Sequence, residues 1–305
     1  MVGRRAPWTC GGGLGAGLRG AWRRSARLAR SARGRAVNAL LAIEGLTVAY
    51  GTEPVVQDIS LTLAAGEVLG LVGESGSGKS TLGMAVLGLL DPAARVEAGR
   101  IALGGDDLLA LPSGQRRALC GSTIALIPQE PMAALNPTLR IGRQIDLVLG
   151  YHRKGDSNTR RQLAEDALAS VMIADPPRIL GSYPFQLSGG QLQRVLIALA
   201  FALGPRLIIA DEPTTALDMS AQGEVLDLLV SRARNEGAGV LLISHNLPLV
   251  RRYADKVAVM RYGAIVESGT AAEVLAAPRH VYTRALIAAL PANSPPHMPL
   301  PVPEA

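Results

Sequence analysis

An apolar run, a glycine-rich break and a helix-competent run follow one another over residues 67–90. That order constrains the fold more than any other feature of the chain. Glu67–Val72 reads as a strand and Ser80–Leu90 as a helix stopping before Asp91-Pro92. Between them lies Gly73-Glu74-Ser75-Gly76-Ser77-Gly78-Lys79-Ser80, which fits the phosphate-loop pattern G-x-x-x-x-G-K-[ST]. The glycines let backbone N–H groups wrap an anion with no Cβ in the way. Lys79 is then placed to meet β/γ-phosphates and Ser80 to ligate Mg²⁺, while the helix N-terminus adds positive potential. A phosphate loop at the first strand–helix junction, with strands and helices alternating after it, predicts an α/β fold around a parallel sheet.

The remaining pattern agrees. Leu41–Leu46, Thr47–Tyr50, Val55–Leu63, Arg100–Leu103, Ile124–Ile127, Leu207–Ala210 and Val240–Ser244 read as strands, and Val257–Arg261 with Ala264–Glu267 as a hairpin about Tyr262-Gly263. Thr159–Met172, Gly189–Leu203, Gly223–Arg234 and Pro248–Tyr253 read as helices, and residues 131–185 hold helical stretches separated by Pro-containing loops. No internal repeat is visible. Residues 291–305 contain six prolines and are expected to be extended and exposed.

Charge is unevenly placed. The chain carries a formal +6, yet residues 1–37 hold nine Arg and no acid, leaving residues 38–305 at a net −3. The overall basicity therefore says little about partners. The Arg-rich leader lacks the continuous apolar core of a secretory signal. It is read as a disordered tail or as upstream sequence from a misplaced start, the alternatives being a transit peptide or a basic arm for anionic lipid or nucleic acid. Nearly half the residues are apolar but only two are Phe, so the core must be aliphatic. Cys10 and Cys120 are the two cysteines. Neither a disulfide framework nor a Cys-based metal site is expected, which fits a reducing cytoplasm. The longest apolar run, Val195–Leu203, is far short of the roughly 20 residues that span a bilayer.

Four more segments carry chemistry. Asp211 and Glu212 follow the apolar run Leu207–Ala210, so their carboxylates should emerge at the C-terminal edge of the sheet, beside the phosphates. A carboxylate near water and a terminal phosphate can act as general base. In Leu187-Ser188-Gly189-Gly190-Gln191, Ser188 is a good N-cap and the two glycines leave first-turn N–H groups open to an anion. Gln129 follows the strand Ile124–Ile127, and His245 ends the strand Val240–Ser244.

Phosphate loop, Gln129, Leu187–Gln191, Leu207–Glu212 and Ser244-His245, in that order, resemble the ATPases of the ATP-binding-cassette (ABC) family. The resemblance covers roughly residues 40–270. It implies a P-loop NTPase fold with a RecA-like parallel-sheet core, a small antiparallel β subdomain and an inserted helical subdomain at about 131–188. The expected boundaries are an N-terminal extension 1–37, a cassette 38–275 and a C-terminal extension 276–305 with its Pro-rich tail. It implies ATP held by Gly73, Ser75, Gly76, Gly78, Lys79, Ser80 and Thr81, with Tyr50 stacked on adenine, and Mg²⁺ held by Ser80, Gln129 and Asp211. Glu212 would polarise the attacking water, and His245 and Gln129 would touch the γ-phosphate and the water. Ser188, Gly189, Gly190 and Gln191 would act in trans on the partner cassette's nucleotide, and Asp218 would couple the two sites.

Two stretches narrow the resemblance. Gln129-Glu130-Pro131-Met132-Ala133-Ala134-Leu135-Asn136-Pro137 and Pro278-Arg279-His280-Val281-Tyr282-Thr283-Arg284-Ala285-Leu286 are similar to segments of oligopeptide, dipeptide and nickel importer ATPases. The implied setting is peripheral, on the cytoplasmic face of the inner membrane. The implied assembly has two transmembrane permease subunits, a second cassette in a homo- or heterodimer and, indirectly, an extracytoplasmic solute-binding protein, with no specific nucleic acid. Many members of that group carry a C-terminal cysteine cluster resembling an iron–sulfur site. This chain has no cysteine after Cys120, so no cluster is expected. The alternatives to an importer are an exporter cassette and a soluble ABC ATPase serving nucleic acid or ribosomes.

Overall fold

The computed structural model describes residues 39–152, 155–215 and 217–290. The Arg-rich leader and the Pro-rich tail lie outside them. From the start, the chain forms β1 (Leu41–Tyr50), β2 (Glu53–Leu63), β3 (Val68–Val72), α1 (Lys79–Leu87), β4 (Ala94–Leu103), β5 (Asp106–Asp107), α2 (Ser113–Leu119) and β6 (Ile124–Ile127). A helical stretch follows: α3 (Pro131–Ala134), α4 (Ile141–His152), α5 (Ser157–Ala169), α6 (Pro176–Gly181), a 3₁₀ turn at Pro184–Gln186, and α7 (Gly189–Phe201). The chain then alternates through β7 (Leu207–Asp211), α8 (Met219–Glu236), β8 (Gly239–Ile243), α9 (Leu247–Tyr253) and β9 (Lys256–Arg261). It closes with β10 (Ala264–Thr270), α10 (Ala271–Ala276) and α11 (Val281–Ala288).

Two sheets result. One is antiparallel in the order β2-β1-β4-β5; the other has six strands in the order β10-β9-β3-β8-β7-β6. In the second, β9, β3, β8, β7 and β6 run parallel and only β10 is antiparallel. Every residue of β3, β7 and β8 is buried, as the unbroken apolar runs require of central parallel strands. Alternate side chains serve different cores. Leu69, Leu71, Leu207, Ile209, Leu241 and Ile243 face α1 and the antiparallel sheet. Val68, Ile208, Ala210, Val240 and Leu242 face the layer of α7, α8 and α9. In the helical stretch, Ile141, Ile145 and Leu149 form a buried stripe four residues apart on α4. The side chains of Asp156 and Asp175 cap α5 and α6. Among the described residues no helix is long and apolar enough to cross a membrane.

Several boundaries differ from the sequence expectation. β1 is one strand, not two, because register shifts after Ile43 and Leu46 absorb the break in its alternation. β4 begins at Ala94 rather than Arg100; its first half is largely exposed, with Ala94, Val96 and Ala98 alternating with Arg95 and Glu97, and it pairs with β1 from Tyr50↔Ala94 onward. α8 opens at Met219 rather than Gly223 because the Asp218 carboxylate accepts from the Ala221 N–H at 2.8 Å.

α9 reaches β3 at Gly70, where a Cβ would lie 2.5 Å from Val250 Cγ1 and 3.2 Å from Ala254 Cβ. Gly70→Ala should therefore destabilise the protein by about 1–3 kcal/mol through overpacking. That exceeds the about 0.4–1 kcal/mol such a change gains by restricting the unfolded chain. The expected reading is a lower urea midpoint with an unchanged slope; an unchanged midpoint would mean that α9 yields freely.

Candidate functional site

β3 delivers the chain into the loop Gly73–Gly78, and α1 begins at Lys79. The loop is pressed from two sides. A Cβ on Gly73 would stand 2.1 Å from the Met260 carbonyl oxygen, and one on Gly78 2.5 Å from that of Val55. The Gly263 N–H, from the β9–β10 turn, donates to the Ser77 carbonyl at 3.1 Å. Ser75 and Gly76 form the exposed tip, while Ser77, Gly78 and Lys79 are buried, Ser80 is exposed and Thr81 half-buried. Lys79 Nζ turns back into the loop, donating to the carbonyls of Gly73 (2.9 Å) and Glu74 (2.7 Å) and to Ser77 Oγ (3.4 Å). Burial pulls the Lys79 ammonium below its usual pKa, against the opposing pull of the Glu212, Asp211 and Glu74 carboxylates.

The other groups converge because their strands are neighbours. Gln129 follows β6, Asp211 ends β7 with Glu212 next, and His245 follows β8; these three strands are adjacent and parallel, with β3 on the far side of β8. Four strand ends thus meet at one edge, where α/β sheets place their ligand sites. Asp211 is buried and accepts from Ser80 Oγ at 3.1 Å. Burial raises its pKa, partly countered by that hydrogen bond. Glu212 has a left-handed backbone (φ 47°), and its N–H still donates to the Ile243 carbonyl at 2.9 Å. Such strain costs of order 1–3 kcal/mol and concentrates at functional sites. The Glu212 carboxylate gathers three donors. Oε2 accepts from Gln129 Nε2 (3.0 Å) and Thr215 Oγ1 (3.0 Å), and Oε1 lies 3.0 Å from His245 Nδ1. Burial alone would raise its pKa, but the bonds to His245 and Thr215 prevail and hold it below the usual carboxylate value.

Gln129, Glu212 and His245 thus lie together, with Asp211 and Ser80 beside them. Thr215 joins this group without having been singled out; its signal was its position three residues after Glu212. The other candidates stand apart. Ser188 caps α7 in a reciprocal box with Gln191: the Gln191 N–H donates to Ser188 Oγ at 3.3 Å and the Ser188 N–H to Gln191 Oε1 at 3.1 Å. None of these bonds reaches the phosphate loop. Ser188, Gly189 and the open side of Gly190, where a Cβ would meet nothing within 4 Å, face outward. Tyr50 lies at the end of β1 and is 36% exposed.

The family model described as ABC transporter matches residues 56–215, from β2 through the phosphate loop, Gln129, the α7 cap, Glu212 and Thr215. The chain belongs to the ABC transporter family. It is an ATP-binding, ATP-hydrolysing cassette. It is 46% identical over 257 residues to the dipeptide transport ATP-binding protein DppD of Escherichia coli (strain K12), covering 83% of this chain and 79% of that protein. It is 44% identical over 236 residues to the oligopeptide transport ATP-binding protein OppD of Lactococcus lactis subsp. cremoris (strain SK11), covering 77% and 70%. Among solved structures, the cassette resembles a dimeric post-hydrolysis state of the ATP-binding cassette MJ0796 bound to ADP and Pi. That match has a TM-score of 0.67 and 25% identity over 76% of this chain and 98% of the other. It also resembles cbiO1 of Clostridium perfringens, part of the ABC transporter complex cbiONQ (TM-score 0.68, 26% identity, 79% and 92% covered).

Proposed function

We propose that this cassette is the ATP-hydrolysing subunit of an importer of dipeptides or oligopeptides, working as one of a pair on two transmembrane permease subunits. The observation that carries the reading is the 46% identity to a dipeptide transport ATP-binding protein across 83% of the chain. In this reading Lys79 and the loop amides from Ser75 to Thr81 take the β/γ-phosphates, and Tyr50 stacks on adenine. Ser188, Gly189, Gly190 and Gln191 close over the nucleotide of the partner cassette, and Asp218 links the two sites.

The residues fit Mg²⁺. Ser80 Oγ and Asp211 Oδ1 are hard oxygen donors already 3.1 Å apart, with the Gln129 amide at the same sheet edge. No group of three or more His, Cys, Asp or Glu side chains placed to hold a metal occurs among the described residues. One or two protein ligands suffice for a Mg²⁺ shared with phosphate and water. The ion would neutralise phosphate charge as it builds in the transition state.

Glu212 is the base. With the bonds from His245 and Thr215 holding its pKa below the usual carboxylate value, it enters the step ionised and accepts the proton of the attacking water as the new P–O bond forms and the bond to ADP breaks. Before that it must exchange at least one of its three present donors for the water. His245 and Gln129, released together from the carboxylate, are the groups free to turn to the γ-phosphate and the water.

The test is to recover the tagged full chain from detergent-solubilised native membranes and identify its partners by mass spectrometry. Two polytopic subunits and a second cassette are expected, and the solute-binding protein of the same system defines the cargo. Recovery with nucleic acid or ribosomal proteins and no membrane partner would overturn the importer. Recovery of polytopic subunits whose vesicles expel solute would make this an exporter cassette.

A further inference from the structure

The last helix, α11, reaches back to the phosphate loop. Tyr282, on its first turn, is 2% exposed, and its hydroxyl oxygen accepts a hydrogen bond from the Glu74 N–H at 3.1 Å. The ring is held from its face by the Arg261 guanidinium, 4.6 Å from its centre. The start of the helix is tied down as well. The Glu267 carboxylate of β10 accepts from the N–H groups of Arg279 (2.7 Å) and His280 (3.1 Å), and His280 Nδ1 accepts from the Tyr282 N–H at 3.2 Å. Burial, with the Glu74 carboxylate adding to it, pushes the phenol above its usual pKa, so the hydroxyl stays neutral.

One peptide group links this helix to the phosphate-binding lysine. The Glu74 N–H and the Gly73 carbonyl belong to the same planar unit, which turns only as a whole. Tyr282 holds its N–H end, and Lys79 Nζ, at 2.9 Å, holds its carbonyl end. When a nucleotide draws the ammonium to its phosphates, the carbonyl loses that partner, and the tyrosine hydroxyl remains as the side-chain anchor of the Gly73–Glu74 peptide.

We infer that Tyr282 is a positioning residue for nucleotide binding: carried in on α11, its hydroxyl fixes the Gly73–Glu74 peptide so that the phosphate loop keeps its shape when Lys79 engages the phosphates. The inference rests on the assignment of Lys79 to the phosphates made above. It makes the C-terminal segment part of the ATP site, although that segment touches no nucleotide.

The experiment uses the purified full chain, titrated with Mg²⁺ and adenylyl imidodiphosphate and then assayed with ATP. Tyr282→Phe removes the hydroxyl and keeps the ring in its buried seat. It should weaken analogue binding and raise KM for ATP by about three- to tenfold, the usual effect of one net hydrogen bond. The change in kcat should be smaller, and the nucleotide-free thermal midpoint should fall by no more than the few degrees one net hydrogen bond is worth. Glu267→Ala, which frees the helix start, should shift KM the same way, and the double variant should be no weaker than Tyr282→Phe alone. Wild-type affinity in Tyr282→Phe, additive effects in the double variant, or a fall of the nucleotide-free midpoint that accounts for the loss would each overturn the inference. Lys79→Ala is the control. If it loses the analogue while Tyr282→Phe binds normally, only the role of Tyr282 falls; if it binds normally, the phosphate-loop assignment falls and takes the inference with it.

Discussion

Glu212→Gln is expected to lower ATP turnover by about 10²–10⁴-fold, the usual worth of a positioned general base, without loss of ATP binding. The substitution keeps the size and shape of the side chain, so the left-handed turn and the strand-end hydrogen bond to Ile243 are unaffected. The amide oxygen can still accept from Gln129 and Thr215. What disappears is the ability to take a proton from water, and with it the charge opposite His245. ATP therefore enters and stays, and the closed pair of cassettes should accumulate. Phosphate release measures the first effect. Size-exclusion chromatography in ATP and Mg²⁺ measures the second, with the variant eluting as a dimer under conditions where the wild type does not. Turnover at the wild-type rate would remove Glu212 from the base role.

The second large effect is expected at a residue far from the phosphate loop. Gly190→Asp should cost the folded monomer almost nothing. A Cβ there meets no atom within 4 Å, and an acid in the first turn of α7 is mildly favourable to the helix dipole. In a closed pair the new carboxylate would face the partner's terminal phosphate. Two like charges about 4 Å apart at an effective dielectric of 20 repel by about 4 kcal/mol, near a thousandfold in rate. Turnover should collapse while ATP affinity and thermal midpoint stay at wild-type values. Mixing supplies the decisive arm. Gly190→Asp chains retain Lys79, and Lys79→Ala chains retain Gly190, so a mixed pair contains one site whose two halves are intact. Activity should return on mixing two inactive proteins. If mixing restores nothing, the α7 cap does not act across a pair.

The site was legible in the sequence wherever a local pattern fixed both the element and its end. Asp211-Glu212 after four apolar residues, the glycines before Lys79, and Ser188 ahead of a helix are short-range signals, and each side chain sits where its own strand or helix puts it. Less could be read where partners come from afar. The first half of β4 does alternate, with Ala94, Val96 and Ala98 against Arg95 and Glu97, but the run is short, follows directly on Asp91-Pro92 and stays largely exposed, so its pairing with β1 is what marks it as strand. Asp218 is a helix cap for α8, and a single Asp ahead of a first turn of mixed polarity carries too weak a local signal to mark where that helix begins. Tyr282 lies 208 residues from Glu74. No spacing rule connects the two, and the contact follows only from the return of β10 and α11 across the sheet.

That return has a consequence for how the molecule is made. β3, which carries the phosphate loop, pairs only with β8 and β9, and the loop is pressed into shape by Met260, Gly263 and Tyr282. At about 5–20 residues per second, a ribosome needs on the order of ten seconds or more after Val72 to deliver those residues. During that interval the β1–β2 hairpin can form from neighbours already made and brings the Val55 carbonyl to one side of the glycine-rich loop, whereas the parallel neighbours of β3 and the contacts of Met260, Gly263 and Tyr282 are still to come. Nucleotide therefore meets a finished site only late in synthesis. Its stabilising effect is expected to be full only in a chain made through the β9–β10 hairpin and α11, so that ATP should protect products cut short before that hairpin less than the full chain.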